Sequence, residues 1–269
     1  MTDTNVRRPR GGVVAINHDW RATVDEALHT ARIAAYGPDE FVGQESFMRA
    51  GDIVRLAEHA GIGPDTSVLD LCCGVAGPGL LIARKSGCTY HGVDASGSAV
   101  RIARSRAGTL NCRFDVARVP PLPSGRYDVV LLLETLLAFP DKPTLLRHVA
   151  DALPMGGRFV FTLEEGEPLT PAERTAMPDA DTVWLIPLSA MLSELEEAGL
   201  RVITRADCTR SHRAVAERLH AEFVADAKNI SDRIGSDALE SLLTAHRRWI
   251  DWLGGGRVRK FVFITERTA

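Results

Sequence analysis

The chain has 269 residues, of which 45% are hydrophobic and 25% charged, and its formal net charge at pH 7 is -3. This length and composition are sufficient for a sizeable core in one large domain with additions, or at most two domains. The slightly acidic balance gives no general attraction to nucleic acid or to an anionic membrane, and it therefore favours a small molecule as the partner.

The sequence has no pattern typical of a membrane span, a secretion signal or a zinc site. No apolar run approaches the roughly 20 residues of a membrane span, and no signal-peptide core follows the basic N-terminus. We therefore expect a cytoplasmic protein. The five cysteines lack the paired spacing of a zinc site, so no metal is expected. The adjacent Cys72 and Cys73 are expected to be packing groups, with reactive thiols as the alternative.

The N-terminal part of the chain is predicted to be a tail followed by two helices. Residues 1–17 have the composition of a mobile tail. Apolar residues at helical spacing predict a first helix over 19–35, and a second through Ile53 and Leu56 that ends at Gly61.

A strand, a tight turn and a helix are predicted between Ser67 and Arg84. The turn contains Gly74, Gly77 and Gly79, a spacing that departs from the G-x-G-x-x-G of dinucleotide sites. Asp70 lies inside the strand just before the turn, where its carboxylate would repel a pyrophosphate but attract a ligand with an ammonium and a sulfonium group. S-adenosylmethionine is such a ligand, and an ordinary glycine-rich turn is the alternative.

At this point the chain resembles the class I S-adenosylmethionine-dependent methyltransferases, whose first motif commonly reads hydrophobic-Leu-Asp-Leu-Gly-Cys-Gly-Thr-Gly-Gly. Asp70, Cys73, Gly74 and Gly77 match that motif, whereas Cys72 and Ala76 each replace a glycine by another small residue. The resemblance implies S-adenosylmethionine as cofactor. It also implies that segments before the motif cover the methionine end of the cofactor, which makes Tyr36 and Gln44 candidates there, with a purely structural role as the alternative.

Acidic residues end the next two predicted strands. Asp94 follows the glycine turn by about 20 residues, the offset at which an acid at the tip of the second strand accepts both ribose hydroxyls, with a helix cap as the alternative. The third strand covers 111–116 and ends near Asp115. The resemblance implies that Asp115 binds the adenine amino group and that the Val116 amide reaches a ring nitrogen. The predicted cofactor-binding residues are Tyr36, Gln44, Asp70, Cys72, Gly74, Ala76, Gly77, Asp94, Ala95, Asp115, Val116 and Glu134.

Two further acids follow buried strands and are candidates for catalysis. The apolar run 127–133 predicts a central parallel strand, and Glu134 stands at its end. Glu164 stands at the end of the fifth predicted strand. A general base is useful if the acceptor is a hydroxyl or a carbon acid, so we predict Glu134, Glu164 and Tyr36 as catalytic candidates. His18 and His212 are weaker candidates, and a capping or solvated role is the alternative for each.

The remainder of the chain predicts one more helix, two strands and an insertion. Residues 166–188 are rich in proline and are expected to be irregular, as a functional lid or a disordered segment. Ser189 is the expected N-cap of a helix over 189–198, which precedes a sixth strand over 200–205. Helices over 214–230 and 236–253 are predicted before the last strand at 259–266.

The predicted fold is an α/β, doubly wound, seven-stranded and mostly parallel sheet of the Rossmann-like methyltransferase type, with helices on both faces. The predicted organisation comprises a tail and helical cover (1–40), a cofactor-binding core (41–208), a helical insertion or lid (209–256) and the final strand (257–269). A homodimer through the insertion is a further expectation.

The expected function is methyl transfer to oxygen, nitrogen or carbon of a small, natural-product-like acceptor. Arginine and histidine residues of the insertion suit an anionic acceptor such as a prenyl diphosphate. A protein that binds the cofactor without transferring its methyl group, such as a cyclase or a regulator, is the alternative. A nucleic-acid methyltransferase is a third interpretation, which the negative net charge disfavours.

Overall fold

The computed structural model describes residues 18–177 and 179–268, with side chains from residue 23 onward. The predicted tail at 1–17 and the side chain of His18 lie outside this described part. None of the described helices has the length and apolar composition to cross a membrane.

Seven strands form a single sheet in the order β3-β2-β1-β4-β5-β7-β6. All neighbours are parallel except β7, which runs antiparallel between β5 and β6. The predicted seven-stranded, mostly parallel sheet is therefore confirmed. Its strands are β1 (Ser67–Leu71), β2 (Thr89–Asp94), β3 (Cys112–Val116), β4 (Val129–Leu132), β5 (Arg158–Glu165), β6 (Leu200–Asp207) and β7 (Arg259–Arg267).

Helices cover both faces of the sheet, since a parallel sheet is stable only when both of its apolar faces are buried. One face packs against residues such as Ile53, Leu80 and Val100, and the other against Leu146 and Leu195. The described helices are α1 (His18–Tyr36), α2 (Ala50–His59), α3 (Gly77–Ser86), α4 (Gly97–Ala107), α5 (Lys142–Ala152), α6 (Pro171–Ala176), α7 (Leu188–Glu197), α8 (Thr209–Ala225), α9 (Ala227–Ile234) and α10 (Ser236–Gly255).

The N-terminal helix and the insertion share one apolar core. Leu28 of α1 packs in a single buried cluster with Phe223 of α8, Ile230 of α9 and Leu239 of α10. The sequence analysis did not predict this contact, because the helical pattern of a segment does not identify the segment against which it packs. Homodimerisation through the insertion stays a prediction.

Three details of the sequence prediction are corrected by the structure. The insertion contains three helices and not two. The first of them, α8, begins at Thr209, and Asp226 separates it from α9. Ser189 is not an N-cap, because α7 begins at Leu188 after Pro187. The segment 166–188 contains the short helix α6 and is fixed to the core where the Lys142 Nζ donates to the Trp184 carbonyl at 2.6 Å.

Candidate active site

A cavity of about 270 Å³ lies at the carboxyl ends of β1, β2 and β4. The strand order turns at β1, so the connections from β1 and β4 leave in opposite directions and open a crevice there. The lining residues come from the segment before α2, the glycine turn and the tips of β2 and β4. They are Gly43, Gln44, Glu45, Ser46, Met48, Ile53, Asp70, Cys72, Cys73, Gly74, Val75, Gly77, Pro78, Asp94, Leu133, Glu134 and Thr135.

The turn after β1 takes a left-handed backbone conformation at every second residue. Cys72, Gly74 and Ala76 have φ values of 57°, 55° and 58°. Positions 72 and 76 are those where the first motif of the resembled family has glycine, a residue that adopts this conformation without steric cost. Cysteine and alanine therefore keep the backbone path of a glycine, at a strain of about 1–2 kcal/mol per residue.

The three glycines of the turn are required for two different reasons. A Cβ on Gly74 would meet nothing within 4 Å and would project into the cavity that this residue lines. A Cβ on Gly77 would lie 2.5 Å from the Val42 carbonyl oxygen, and one on Gly79 would lie 2.0 Å from the Tyr90 hydroxyl. Only Gly74 therefore leaves room for a ligand, while the other two leave room for protein atoms.

Replacing Ala76 by glycine is expected to change the free energy of unfolding by less than about 1 kcal/mol, because relief of left-handed strain offsets the added chain entropy. Ala76→Val is expected to cost more than about 2 kcal/mol, since a β-branched residue combines strain with overpacking at a fully buried position. Urea unfolding of both variants measures the difference. Equal stability of the two would contradict the left-handed conformation of residue 76.

Asp70 is buried beneath the cavity and accepts a hydrogen bond from the Tyr90 hydroxyl. Burial raises the pKa of Asp70 to about 7; the hydrogen bond from Tyr90 opposes this rise, and the charge of Asp94 adds to it. A cation bound in the cavity would restore the ionised form of this carboxylate. The predicted preference for a positively charged ligand is consistent with this position.

Asp94 connects the tip of β2 to the glycine turn. Its Oδ2 accepts from the Gly74 amide at 2.9 Å, and its Oδ1 accepts from the Ser96 amide at 2.8 Å. Each carboxylate oxygen has a second lone pair, so Asp94 can also accept hydroxyl groups from a ligand in the cavity that it lines. The N-cap of α4 is Ser96 and not Asp94, so Asp94 has a role in the preceding turn, and this role is compatible with ligand binding.

Of the three carboxylates predicted to bind the cofactor, Asp70 and Asp94 line the cavity and Asp115 does not. Asp115 pairs in register with Val93, whereas Asp94 pairs with Val116, so Asp115 and Asp94 project from opposite faces of the sheet. The Asp115 carboxylate instead lies 2.8 Å from His91 Nε2. Neither Asp115 nor Val116 is among the residues that line the cavity. Their adenine contacts stay a prediction.

Two other predicted cofactor contacts, Gln44 and Tyr36, have different surroundings from those expected. The Gln44 amide is used within its own segment, where it donates to the carbonyls of Glu40 and Met48 and accepts from the Val42 amide. The Tyr36 hydroxyl donates to the Ser46 carbonyl, and burial raises the pKa of Tyr36. Both side chains therefore shape the segment that covers the cavity instead of presenting free polar atoms to it.

Ala76 and Ala95 also lie outside the cavity lining. Ala76 is fully buried behind the glycine turn, and Ala95 is exposed after the tip of β2. Cys72 and Cys73 do line the cavity. Burial, with the charges of Asp94 and Asp70, raises the pKa of the Cys72 thiol to about 12, which favours the protonated form and a packing role.

Glu134 lines the cavity and forms one side of a buried ionic cluster with Glu164, Lys260 and His212. Lys260 Nζ donates to Glu134 Oε2 and lies 2.9 Å from Glu164 Oε1, while His212 Nδ1 lies 3.8 Å from Glu134 Oε1. Burial alone would lower the pKa of Lys260, but the charges of Glu134 and Glu164 outweigh it and raise this pKa. Glu164 and His212 are thus close to the cavity without lining it.

Glu134 has a φ of 60°, a left-handed conformation that is unusual for glutamate. Such strain persists only where the surrounding contacts fix the residue, and it is concentrated at functional sites. Here the Glu134 amide donates to Thr162 Oγ1, and Lys260 holds the carboxylate. Thr162 of β5 and Lys260 of β7 therefore determine the orientation of Glu134.

Sequence reasoning missed Lys260. One signal was available, because alternation along β7 puts residue 260 on the same face as Val262 and the buried Ile264. A lysine at such a position needs a counter-charge. Its partner Glu164 is identified only by the antiparallel register, which pairs Glu164 with Lys260.

The basic residues of the insertion do not gather at the cavity. Arg213 forms an ion pair with Glu217, and Arg248 with Asp179. Within the described ranges, no lysine or arginine lines the cavity, and no group of three or more His, Cys, Asp or Glu side chains is arranged to hold a metal ion.

The cavity fits the cofactor that the resemblance implies. Its acidic lining residues include Asp70, Asp94 and Glu134, whose carboxylates suit a ligand with ammonium and sulfonium charges. Gly74 leaves the space of a side chain open at the backbone. Asp94 and Asp70 lie at one side of the cavity and Glu134 lies at the tip of β4.

Comparison with known proteins gives the same assignment. A family model described as "Methyltransferase domain" matches residues 35–205, more than half of the chain. Ajmaline N-methyltransferase from Rauvolfia serpentina is 27% identical over 161 residues, which cover 54% of this chain and 55% of that protein. The chain therefore matches about half the length of this curated relative.

Solved structures share the fold at low sequence identity. Phosphoethanolamine N-methyltransferase 2 from Haemonchus contortus, in complex with S-adenosyl-L-methionine, has a TM-score of 0.74 at 16% identity over 97% of this chain and 62% of that one. Geranyl diphosphate C-methyltransferase from Streptomyces coelicolor has a TM-score of 0.64 at 18% identity over 81% of this chain and 79% of that one.

Proposed function

Because this chain belongs to the class I S-adenosylmethionine-dependent methyltransferase family, we propose that it transfers a methyl group from S-adenosylmethionine to oxygen, nitrogen or carbon of a small acceptor. The cofactor supplies an electrophilic methyl group, and the chain binds, orients and shields the reactants. Asp94 accepts the ribose hydroxyls, Asp70 attracts the amino group, and Glu134 faces the acceptor.

The observation that carries this proposal is the acidic cavity at the glycine turn. It combines open space above Gly74 with two carboxylates below it and a third at the tip of β4. A pyrophosphate would be repelled by these charges, whereas a cationic adenosine compound would be attracted. The acceptor stays unspecified at this level, and a diphosphate acceptor gains no support from the insertion arginines described above.

Gly74→Ala is expected to weaken binding of S-adenosylhomocysteine at least about tenfold, because its Cβ enters the cavity. Gly156→Ala is a matched control, since Gly156 also has a positive φ and open space but lies in the turn before β5. Both variants introduce a side chain at a left-handed position, but only Gly74→Ala should lose affinity. Calorimetric titration of both proteins measures this, and equal losses would contradict the placement of the cofactor.

Affinity for the cofactor is expected to rise with pH up to about 7 and then to level off. The pKa of Asp70 is raised to about 7 by burial, so below that pH the carboxyl is protonated and must release its proton when a cation binds. The affinity should fall by up to about tenfold per pH unit below 7. Titration at pH 6, 7 and 8 tests this. The dependence should flatten in Asp70→Asn, and a wild-type affinity that increases towards pH 6 would contradict it.

Methyl transfer is distinguished from cofactor binding without transfer by the product. Incubation with S-adenosylmethionine and small amines, hydroxy compounds or carbon acids should yield S-adenosylhomocysteine in proportion to methylated acceptor. Tight binding without that product would favour the cyclase or regulator alternative. Salt-sensitive binding of bulk RNA or DNA would favour a nucleic-acid methyltransferase.

A further inference from the structure

The buried ionic cluster of Glu134, Glu164, Lys260 and His212 contains polar atoms without a hydrogen-bond partner. Glu134 Oε1, Glu164 Oε2 and His212 Nδ1 are buried and have no hydrogen-bond partner. The side chains of Glu134, Glu164 and His212 are 9%, 2% and 2% exposed, so bulk solvent does not surround these atoms. Each such buried atom costs about 1–3 kcal/mol unless a donor binds to it.

The cluster also carries an excess of negative charge. Two carboxylates face one ammonium, and among residues 18–177 and 179–268 Lys260 is the only lysine or arginine in ion-pair distance of Glu134 or Glu164. His212 does not supply a second positive charge, because burial and the neighbouring Lys260 lower its pKa to about 3. A buried excess of one charge calls for a cationic partner.

Aromatic rings form the wall of the same region. The rings of Phe47 and Trp249 lie 5.4 Å and 6.0 Å from Lys260 Nζ, and Phe47 also contacts His212 edge to face. Aromatic faces attract cations and offer nothing to an anion. Glu134 connects this region to the cofactor cavity, because it lines the cavity while its Oε1 faces His212.

We propose that the methyl acceptor is an amine, which enters as an ammonium ion and binds with its nitrogen next to Glu134 Oε1 and His212 Nδ1. This inference rests on the proposed function. A donor 2.8 Å from both atoms is geometrically compatible with their 3.8 Å separation. An alcohol has a single hydroxyl proton and no charge. It would therefore leave the excess negative charge and one of the two unpartnered atoms uncompensated.

The transfer is balanced with these groups. A proton of the ammonium nitrogen moves to the Glu134 carboxylate, and the freed lone pair forms the new N–C bond to the methyl carbon. The S–C bond breaks with its electron pair left on sulfur. Glu134 is then a catalytic residue, and Lys260 is a positioning residue that acts through it.

Methylammonium chloride is a suitable probe because it has no skeleton that could fail to fit. The protein is first saturated with S-adenosylhomocysteine, and its thermal midpoint is then measured against methylammonium, sodium chloride and methanol. We expect methylammonium to bind at least about tenfold more tightly than sodium ion or methanol. Glu134→Gln should remove this preference when it is measured at a concentration of S-adenosylhomocysteine that saturates the variant.

Glu165→Gln is the matched control, since Glu165 adjoins Glu164 on β5 but pairs with Arg259. It should keep the methylammonium preference. A midpoint that rises no more with methylammonium than with sodium chloride, or a rise that persists in Glu134→Gln, would overturn the inference. If the wild-type protein does not bind S-adenosylhomocysteine, the proposed function is refuted. Failure of the proposed function is therefore distinguishable from failure of this inference.

Discussion

Lys260→Met is expected to lower the free energy of unfolding by about 3–5 kcal/mol, the usual cost of leaving a buried ion pair with one partner. Glu134 and Glu164 would both lose their counter-charge, and both are buried. Methionine retains the length and the apolar stem of lysine, so the loss reports mainly on the missing ammonium. Urea unfolding at neutral pH gives the measurement.

The adjacent residue offers a matched control. Arg259 forms an ion pair with Glu165 on the more exposed side of the same strands. Arg259→Met is therefore expected to cost no more than about 1 kcal/mol. If the two variants are equally stable, then Lys260 does not compensate the buried carboxylates and the cluster described above is not the ionic centre of the site.

Asp94→Ala is expected to weaken binding of S-adenosylhomocysteine by roughly 10- to 150-fold. The charged carboxylate is proposed to accept the ribose hydroxyls, and hydrogen bonds to a charged group contribute about 1.5–3 kcal/mol. The variant also loses the hydrogen bond between Asp94 and the Gly74 amide, which fixes the glycine turn. Calorimetric titration gives the affinity, and the urea midpoint shows whether the protein still folds.

Asp115→Ala is the matched comparison for Asp94→Ala, because the two side chains project from opposite faces of the sheet. Asp115 contacts His91 and lies outside the cavity lining, so we expect a smaller loss of affinity than for Asp94→Ala. A larger loss for Asp115→Ala would indicate that the adenine contact implied by the family resemblance outweighs the ribose contact. Unchanged affinity in Asp94→Ala would remove the ribose assignment.

The sheet could be predicted from sequence because its signals are local. The apolar run 127–133 and the strand-turn-helix pattern at 67–84 each fix an element and its place in a parallel sheet. The positions of Asp70 and Asp94 could be predicted from the same patterns. Both acids lie at the carboxyl ends of parallel strands, and these ends meet at one edge of the sheet.

The rest of the site depends on contacts that are distant in sequence. Glu164 meets Lys260 only through the antiparallel register of β5 and β7. His212 reaches Glu134 only because α8 packs against α1 and the sheet. The sheet face taken by Asp115 depends on the register of β3 against β2, because a shift of one residue moves each side chain to the opposite face.

The central claim is that the acidic cavity at the glycine turn binds S-adenosylmethionine. A crystal structure of the protein with S-adenosylhomocysteine tests it most directly. The account predicts the ribose on Asp94, the amino group on the side of Asp70 and the sulfur towards Glu134. Ligand density elsewhere on the molecule, or an inverted orientation with the adenine against Glu134, would contradict it.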